Sequence, residues 1–552
     1  VKVFLIPIFS SLLLITSRVT LAQHHHPTTT QNPATPNTKK PATKKPAAKP
    51  KKATVPKKKA EPIKKDTLAV TMHQHSDSLN TGKALGKTDT SIIGHHDHFQ
   101  KIEPQKDSLP GKDSSIHEGH VMQDHHQHET PDTMGKNGMR HAYSLNLPMS
   151  RNSSGTAWQP DATPMYGYMK MTKNWNLMFH GSAFLRYNHQ DIFRSGIRSD
   201  SLTDRFDLPN WVMMMADRKI NHRGLLAFTV MLSADELTMG GNGYPLLFQS
   251  GETFNGKPLI DRQHPHDFVS GLSAAYTHML NKDMDLTAYL GYPGEPAIGP
   301  PAFMHRISAI NNPDAPLGHH WQDATHITFG VATLGLRYKT LKFEVSNFTG
   351  REPDENRYDF DQPRFDSWSY RFSINPNDNF AVQFSQAFIK SPEALEPEEH
   401  ITRTTASVMH SLILGEKTHL TSAMIWGINQ KWEHRPEHSA LLESNLQMNR
   451  IALYGRYESI QKSGHELNVD PNGSEKLFPV NALTLGTSYN FLHAFKTNFR
   501  IGVQGSAFFT PSELRGLYGK LPLSAEIYLH VLPINMNAHG NKHSTMQHHS
   551  NH

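Results

Sequence analysis

From about Arg140 the chain alternates apolar and polar residues in short runs, and the connections between those runs alternate between short and long. No other feature constrains the fold as strongly. Leu177, Phe179, Gly181, Ala183, Leu185 and Tyr187 share one face of an extended segment, while Asn176, His180, Ser182 and Arg186 share the other. Leu341, Phe343 and Val345 oppose Lys342, Glu344 and Ser346; Phe380, Val382 and Phe384 oppose Ala381, Gln383 and Ser385. Near the end, Phe499, Ile501, Val503 and Ala507 oppose Arg500, Gln504 and Ser506. Leu523, Ala525, Ile527, Leu529 and Val531 then oppose Ser524, Glu526, Tyr528 and His530. A soluble β-sandwich also alternates, so the connections have to discriminate. Tight turns are expected at 173–174, 218–222, 281–283, 339–340, 375–378, 415–417, 449–450 and 493–496. Longer connections fall between them at 188–209, 234–267, 292–324, 349–367, 390–400, 429–438, 461–479 and 510–521. Strict alternation of short and long is the mark of a transmembrane antiparallel β-barrel with turns at one end and loops at the other. With an initial strand near 141–149 the count is about 18, and 16 is the neighbouring even number. Trp175, Tyr187, Trp211, Tyr289, Trp368 and Trp426 suit aromatic girdles at the two interfaces.

Composition agrees with a barrel and excludes helical spans. The 552 residues are 37% hydrophobic, the mean hydropathy is −0.56, and no apolar run after the first reaches the ~20 residues of a spanning helix. The formal charge of +6 is uneven. Residues 1–65 carry 14 of the 56 Lys+Arg and one of the 50 Asp+Glu, leaving 42 basic against 49 acidic residues, or −7, for the remainder. The basic balance therefore belongs to the N-terminal part and gives no reason to expect nucleic acid as a partner of the folded part.

Four regions are expected: a signal peptide over 1–22, an arm over 23–139, a barrel over 140–532 and a His-rich tail over 533–552. Lys2, an apolar stretch from Val3 to Ile15 and a terminal Ala22 read as an export signal. The absence of cysteine rules out lipoprotein anchoring, disulfides and thiolate metal sites. Residues 28–65, as in PATKKPAAKPKKATVPKKK, cannot bury a core and read as a solvated, disordered tether, with contact to anionic lipid or an acidic cell-wall polymer as the alternative. Beyond them lie clusters of imidazole among acids: His73 and His75; His95, His96 and His98; His117 and His120; His125, His126 and His128. Met72 and Met122 accompany them, and His543, Met546, His548, His549 and His552 repeat the theme. Imidazole suits Cu(II), Zn(II) and Ni(II), and thioether suits Cu(I), so copper is the favoured ion, with zinc or nickel as the alternatives. No cluster has structural-zinc spacing, so weak, exchanging sites are expected.

Two of the long connections carry histidines of their own. In GGNGYPLLFQSGETFNGKPLIDRQHPHDF, His264 and His266 flank Pro265 and project to one side of an extended segment beside Asp261 and Asp267. The next long connection offers Met304, His305, His319, His320, Asp323 and His326. Both lie at the same end of the barrel, so their imidazoles can converge, either on a metal or as polar anchors of a loop folded into the barrel mouth.

The segments SGTAWQPDATPMYGY (154–168), GYPLLFQSGET (243–253), LIDRQHPHD (259–267) and GPPAFMHR (299–306) resemble a family of uncharacterised outer-membrane proteins of Gram-negative bacteria. The resemblance covers roughly 140–532 and implies a barrel in the outer membrane; an even number of strands returns both termini, and with them the arm, to the periplasm. In layout, a Met/His-bearing exported arm before a barrel is similar to outer-membrane copper-resistance proteins of the B type. This arm departs from them in lacking regular methionine-histidine repeats.

The expected function is metal binding or buffering at the outer membrane, in tolerance or passage, with membrane lipid, metal ions and metal-efflux components as partners. One alternative is a general porin in which the histidines are incidental. Another is a barrel hydrolase built on His180 with Ser182 or His530 with Ser524, although neither pair has an evident third group. A TonB-dependent transporter is disfavoured, because no plug-sized domain with its own apolar core precedes the strands.

Overall fold

The structure, a computed structural model, describes residues 143–198, 204–432, 434–470 and 476–536. The expected signal peptide, the Lys-rich tether, the tail and the arm histidines from His73 to His128 lie outside the described residues. None of the described helices is long and apolar enough to cross a membrane.

Sixteen antiparallel strands close into one barrel. The main sheet contains eighteen strands, two of which are not separate staves. Arg205–Asp207 and Asn210–Lys219 both pair with the same edge of Asn176–His189 and form one interrupted stave. Pro209 lies at the interruption and has no N–H to offer a ladder. The four-residue strand Tyr168–Met171 fills the other edge of Asn176–His189 where the last strand runs out. Closure comes from pairing Ala183–His189 with Val531–Ala525. Seven short turns and eight long connections join the sixteen staves where the alternation places them, and the turn expected at 173–174 joins Tyr168–Met171 to Asn176–His189. At one tight turn Asn449 adopts φ +51°, the left-handed geometry that two-residue hairpins require and that Asn tolerates.

The barrel is inverted relative to a soluble protein. Leu334, Phe372, Leu442, Leu485, Val503 and Ile527 are exposed on the outside, whereas Arg371, Arg403, Glu443, Arg456, Lys462 and Glu526 are buried on the inside. An apolar outer band over a charged interior is stable only against hydrocarbon, which makes this a transmembrane barrel of the outer-membrane type. Leu529 is exposed and Tyr528 and His530 are buried, in the expected phase. Two aromatics depart from the girdle expectation. Tyr289 faces inward at 3% exposure, and Trp211 shares the inward face with Met213 and packs edge-on or tilted against lumenal histidines. Each obeys the phase of its strand, which sequence position near a strand end does not reveal.

Among the described residues 143–149, no strand forms where an initial one is expected near 141–149. Tyr143 to Gly167 enters the lumen and carries a short 3-10 helix at Met149–Arg151. Tyr143 packs edge-on against Tyr289 at 6.4 Å, and Ser144 Oγ donates to Asp285 Oδ2 at 2.5 Å. Further along, Arg371 Nη2 donates to Thr156 Oγ1 at 2.8 Å, and Asn375 Nδ2 donates to the Gln159 carbonyl at 2.9 Å. These residues are polar because they satisfy the charged inner wall, and no free sheet edge remains for them to join.

Candidate functional site

Two long loops fold inward to join the N-terminal segment. Residues 233–268 contain a short helix, Asp235–Met239, and a hairpin of Tyr244–Phe254 with Lys257–Gln263. The run LLF within GYPLLFQSGET explains why this hairpin turns inward. Leu246, Leu247 and Phe248 bury against Leu317, Trp321, Ile460, Phe508 and Tyr518, forming an apolar core inside the barrel. Polar ties complete the attachment: Asn188 Nδ2 donates to the Pro245 carbonyl at 2.8 Å, and Lys462 Nζ donates to Ser250 Oγ at 2.6 Å.

Residues 292–330 cross the lumen and bond to the wall around its circumference. Ala297 N donates to Ser346 Oγ and Gly299 N to Ser385 Oγ, both at 2.8 Å. Arg306 pairs with Glu443 at 2.7 Å and Asp323 at 2.6 Å. Asp314 receives Arg186 at 2.6 Å and Gln504 at 2.9 Å. Every one of these groups is buried, so the charges are compensated inside the lumen as they must be away from bulk water.

The histidines of the two loops meet. His264, His266, His326, His319 and His320 form a closed circuit of rings, with neighbouring centroids 6.3, 5.4, 5.2, 5.2 and 5.6 Å apart in that order, the last closing from His320 to His264. Phe303 packs against His319 at 5.3 Å and also against His266 and His326. Acceptors fix several rings from behind. His319 Nδ1 donates to Asp323 Oδ1 at 2.6 Å, His266 Nδ1 to Asp235 Oδ2 at 2.7 Å, and His326 Nδ1 to the Asp323 carbonyl at 2.8 Å. The Nε2 atoms of His266 and His326 are buried without a hydrogen-bond partner among the described residues. A carboxylate or carbonyl on one ring nitrogen with the other left free is how proteins orient metal-binding imidazoles. His264 Nε2 lies 3.0 Å from Glu252 Oε1. The carboxylates serving His264 and His266 are thus Glu252 and Asp235. Asp261 instead accepts from Phe248 N at 2.7 Å, and Asp267 faces Arg357 at 3.5 Å.

Burial acts on several of the lumenal imidazoles. It pushes His264 down to about 4 against the pull of Glu252, and His305 down to about 3 with help from His180 and His266. His319 and His326 are lowered by burial as well. His320 is the exception: burial lowers it, but Glu352, Glu393 and Glu252 outweigh that effect and raise it.

His305 does not join the circuit. Its ring lies tilted against Trp211 at 4.6 Å and His180 at 5.9 Å, beside a lumenal cavity of about 140 Å³. Met149, Met165, Met178, Met215 and Met304 line that cavity with His180, His264, His266 and His305. Loop and wall together therefore surround it with thioethers and imidazoles.

Ligating atoms of three residues come within 4.8 Å of one another at two places among the described residues. One is His320, Glu352 and Glu393; the other is Asp354, Asp359 and Asp361, at the surface. Of the expected metal residues only His320 belongs to either group. Glu352 and Glu393 were not legible as partners, because they come from two further loops, 349–366 and 391–399, and acidic residues in exposed loops are ordinary. The hydrolase pairs also regroup: Ser182 Oγ and His530 Nε2 share a hydrogen bond of 2.8 Å. His530 Nδ1, however, has no partner among the described residues and the ring is stacked on Phe184, so none of them orients it as a third group.

No protein-family model and no curated protein sequence matches the chain. Among solved structures it is similar to OmpF of Salmonella typhi, solved with daunomycin, at 10% identity and a TM-score of 0.41 over 66% of this chain and all of that one. It is similar to an anion-selective porin from Comamonas acidovorans at 8% identity and a TM-score of 0.37, over 65% of this chain and 99% of the porin. The outer membrane channel DcaP of Acinetobacter baumannii gives 8% identity and a TM-score of 0.33, over 67% and 99%. Scores this low carry nothing about activity, and the barrel rests on its own pairing and burial.

Proposed function

We propose that this protein is an outer-membrane barrel of channel type whose lumen is narrowed by three inserted segments, so that it admits small ions and excludes bulk solutes. The supporting observation is the combination of a closed sixteen-strand wall with a charged interior and the wall-to-wall anchoring of residues 143–167, 233–268 and 292–330 inside it. Planar-bilayer recording of the purified protein tests this. Small unitary currents are expected, rising several-fold when the hairpin 243–263 is replaced by a short Gly-Ser linker. Currents like those of an open pore in the intact protein, or none in either form, would overturn it.

A second reading is transition-metal handling, favoured by the five-imidazole circuit and the methionine-lined cavity beside it. In this reading the lumen holds copper, zinc or nickel by ligand exchange, and the arm histidines His73 to His128 concentrate the ion at the pore. Mutating His264 and His266 together to Ala should then abolish lumenal copper binding measured by calorimetry, while a peptide spanning 70–140 binds copper on its own. An unchanged binding isotherm for the double variant counts against the lumenal part, and an inert peptide counts against the arm.

A further inference from the structure

We infer that His320, Glu352 and Glu393 form a binding site for a first-row divalent transition-metal ion at the loop end of the barrel, approached through an acidic vestibule. The inference rests on neither the conductance reading nor the imidazole-circuit reading: it shares His320 with the circuit, but its other two ligands, Glu352 and Glu393, come from outside it.

Three different connections supply the ligands. His320 sits in the short helix His319–Gln322, whose position is fixed from the wall by Asn429 Nδ2 donating to the His320 carbonyl at 3.1 Å. Glu352 and Glu393 come from neighbouring loops that are tied to each other. Glu352 N donates to the Pro392 carbonyl at 3.1 Å, and Arg351 Nε donates to the Ser391 carbonyl at 2.8 Å. The ligating atoms of all three residues fall within 4.8 Å of one another.

The imidazole is aimed and unsatisfied. His320 is 6% exposed, and neither ring nitrogen has a hydrogen-bond partner among the described residues; Glu352 Oε2 is buried and unpartnered beside it. A buried ring with two idle nitrogens is costly unless something binds it. His320 Nδ1 lies 3.6 Å from Glu352 Oε1, too far for a hydrogen bond. Two donors each about 2.1 Å from one tetrahedral ion stand about 3.4 Å apart, which is close to this separation. The hairpin makes room for the ring: at Gly251, with φ +114°, a Cβ would come within 2.4 Å of His320 Cε1 and Nε2.

Outside the three ligands a cavity of about 350 Å³ is lined by Glu252, Glu352, Asp354, Glu355 and Glu393. Asp354 is exposed and Glu352 is buried, so the negative lining grades from solvent to the ligands. Such a lining concentrates cations at its floor. One imidazole with two carboxylates favours zinc, manganese, nickel or similar divalent ions over calcium and magnesium, which take oxygen alone, and the lack of a thioether disfavours Cu(I).

Zinc is the probe for the test, and the full chain is used. In zinc-soaked crystals of the wild-type protein, anomalous difference maps at the zinc edge should show a peak bounded by His320, Glu352 and Glu393. Equilibrium dialysis of detergent-solubilised full chain should show one fewer zinc ion per chain in the Glu352→Gln/Glu393→Gln variant than in wild type. Excess magnesium should leave that difference in place. No anomalous peak at this position, or equal zinc stoichiometry in a variant that keeps the wild-type thermal transition, overturns the site. Should the variant fail to fold, the wild-type map alone decides.

Discussion

Arg306 Nε donates to Glu443 Oε1 at 2.7 Å, joining the loop that crosses the lumen to a wall strand 137 positions later in the chain. The same guanidinium binds Asp323 at 2.6 Å, while Glu443 is also held by Arg456 at 3.1 Å. One side chain thus links the imidazole-bearing part of the loop to the barrel through groups that are all buried.

Replacing Arg306 by Met should therefore cost about 3–5 kcal/mol of unfolding free energy, because Asp323 and part of Glu443 are left buried and uncompensated. Adding Glu443→Gln should recover part of the loss. Urea unfolding in lipid bilayers measures both, and a single variant as stable as wild type would show that the pair is not needed to hold the loop.

Gly427 packs against the same loop from another strand, where a Cβ would lie 2.3 Å from the Trp321 carbonyl oxygen. Gly427→Ala should cost about 1–3 kcal/mol through overpacking and increase conductance by loosening the plug. An unchanged unfolding midpoint together with unchanged current would refute the close contact.

Glu295 provides a pH test. It is buried in the loop, and desolvation, opposed by Arg371, pushes its carboxyl up to about 8, with Asp323 and Glu344 adding to the rise. The folded state then holds a proton that the unfolded state releases above its ordinary value of 4.5. The stabilisation is complete below that value and is lost as pH rises through about 8, with a slope of at most about 1.4 kcal/mol per pH unit. Glu295→Gln should flatten the stability curve across this window, and an identical pH profile for the variant would exclude the assignment.

Spin labels at 526 and 527 test the wall itself. Ile527 is exposed and Glu526 buried, so in bilayers the label at 527 should be relaxed by oxygen, while the label at 526 should be reached by neither oxygen nor a bulky polar quencher. Equal oxygen accessibility at the two positions would be incompatible with a closed barrel in this register.

Much of the wall was legible in the sequence because strand chemistry is local. Period-two alternation and turn residues such as Asn449 act within a few residues, so the turns, the long connections and the phases of Leu529 and His530 could all be read without a partner strand. The inward convergence of His264, His266, His319 and His320 was legible to the extent that neighbouring loops share one end of a barrel. Three things were decided only by tertiary structure, each because it depends on closure. The seam forms between Asn176–His189 and the last strand, which leaves Tyr143 no edge to pair with and sends 143–167 into the lumen. Strand phase turns Tyr289 and Trp211 inward, where partners exist only once the interior is enclosed. Closure also encloses the lumen into which 292–330 folds, and that infolding brings His320 to Glu352 and Glu393 on the next two long loops. The sequence determined which residues face in or out along each strand. The closed barrel determined which inward groups meet, because that depends on the distances between staves around the circumference and not on the order of residues along any one of them.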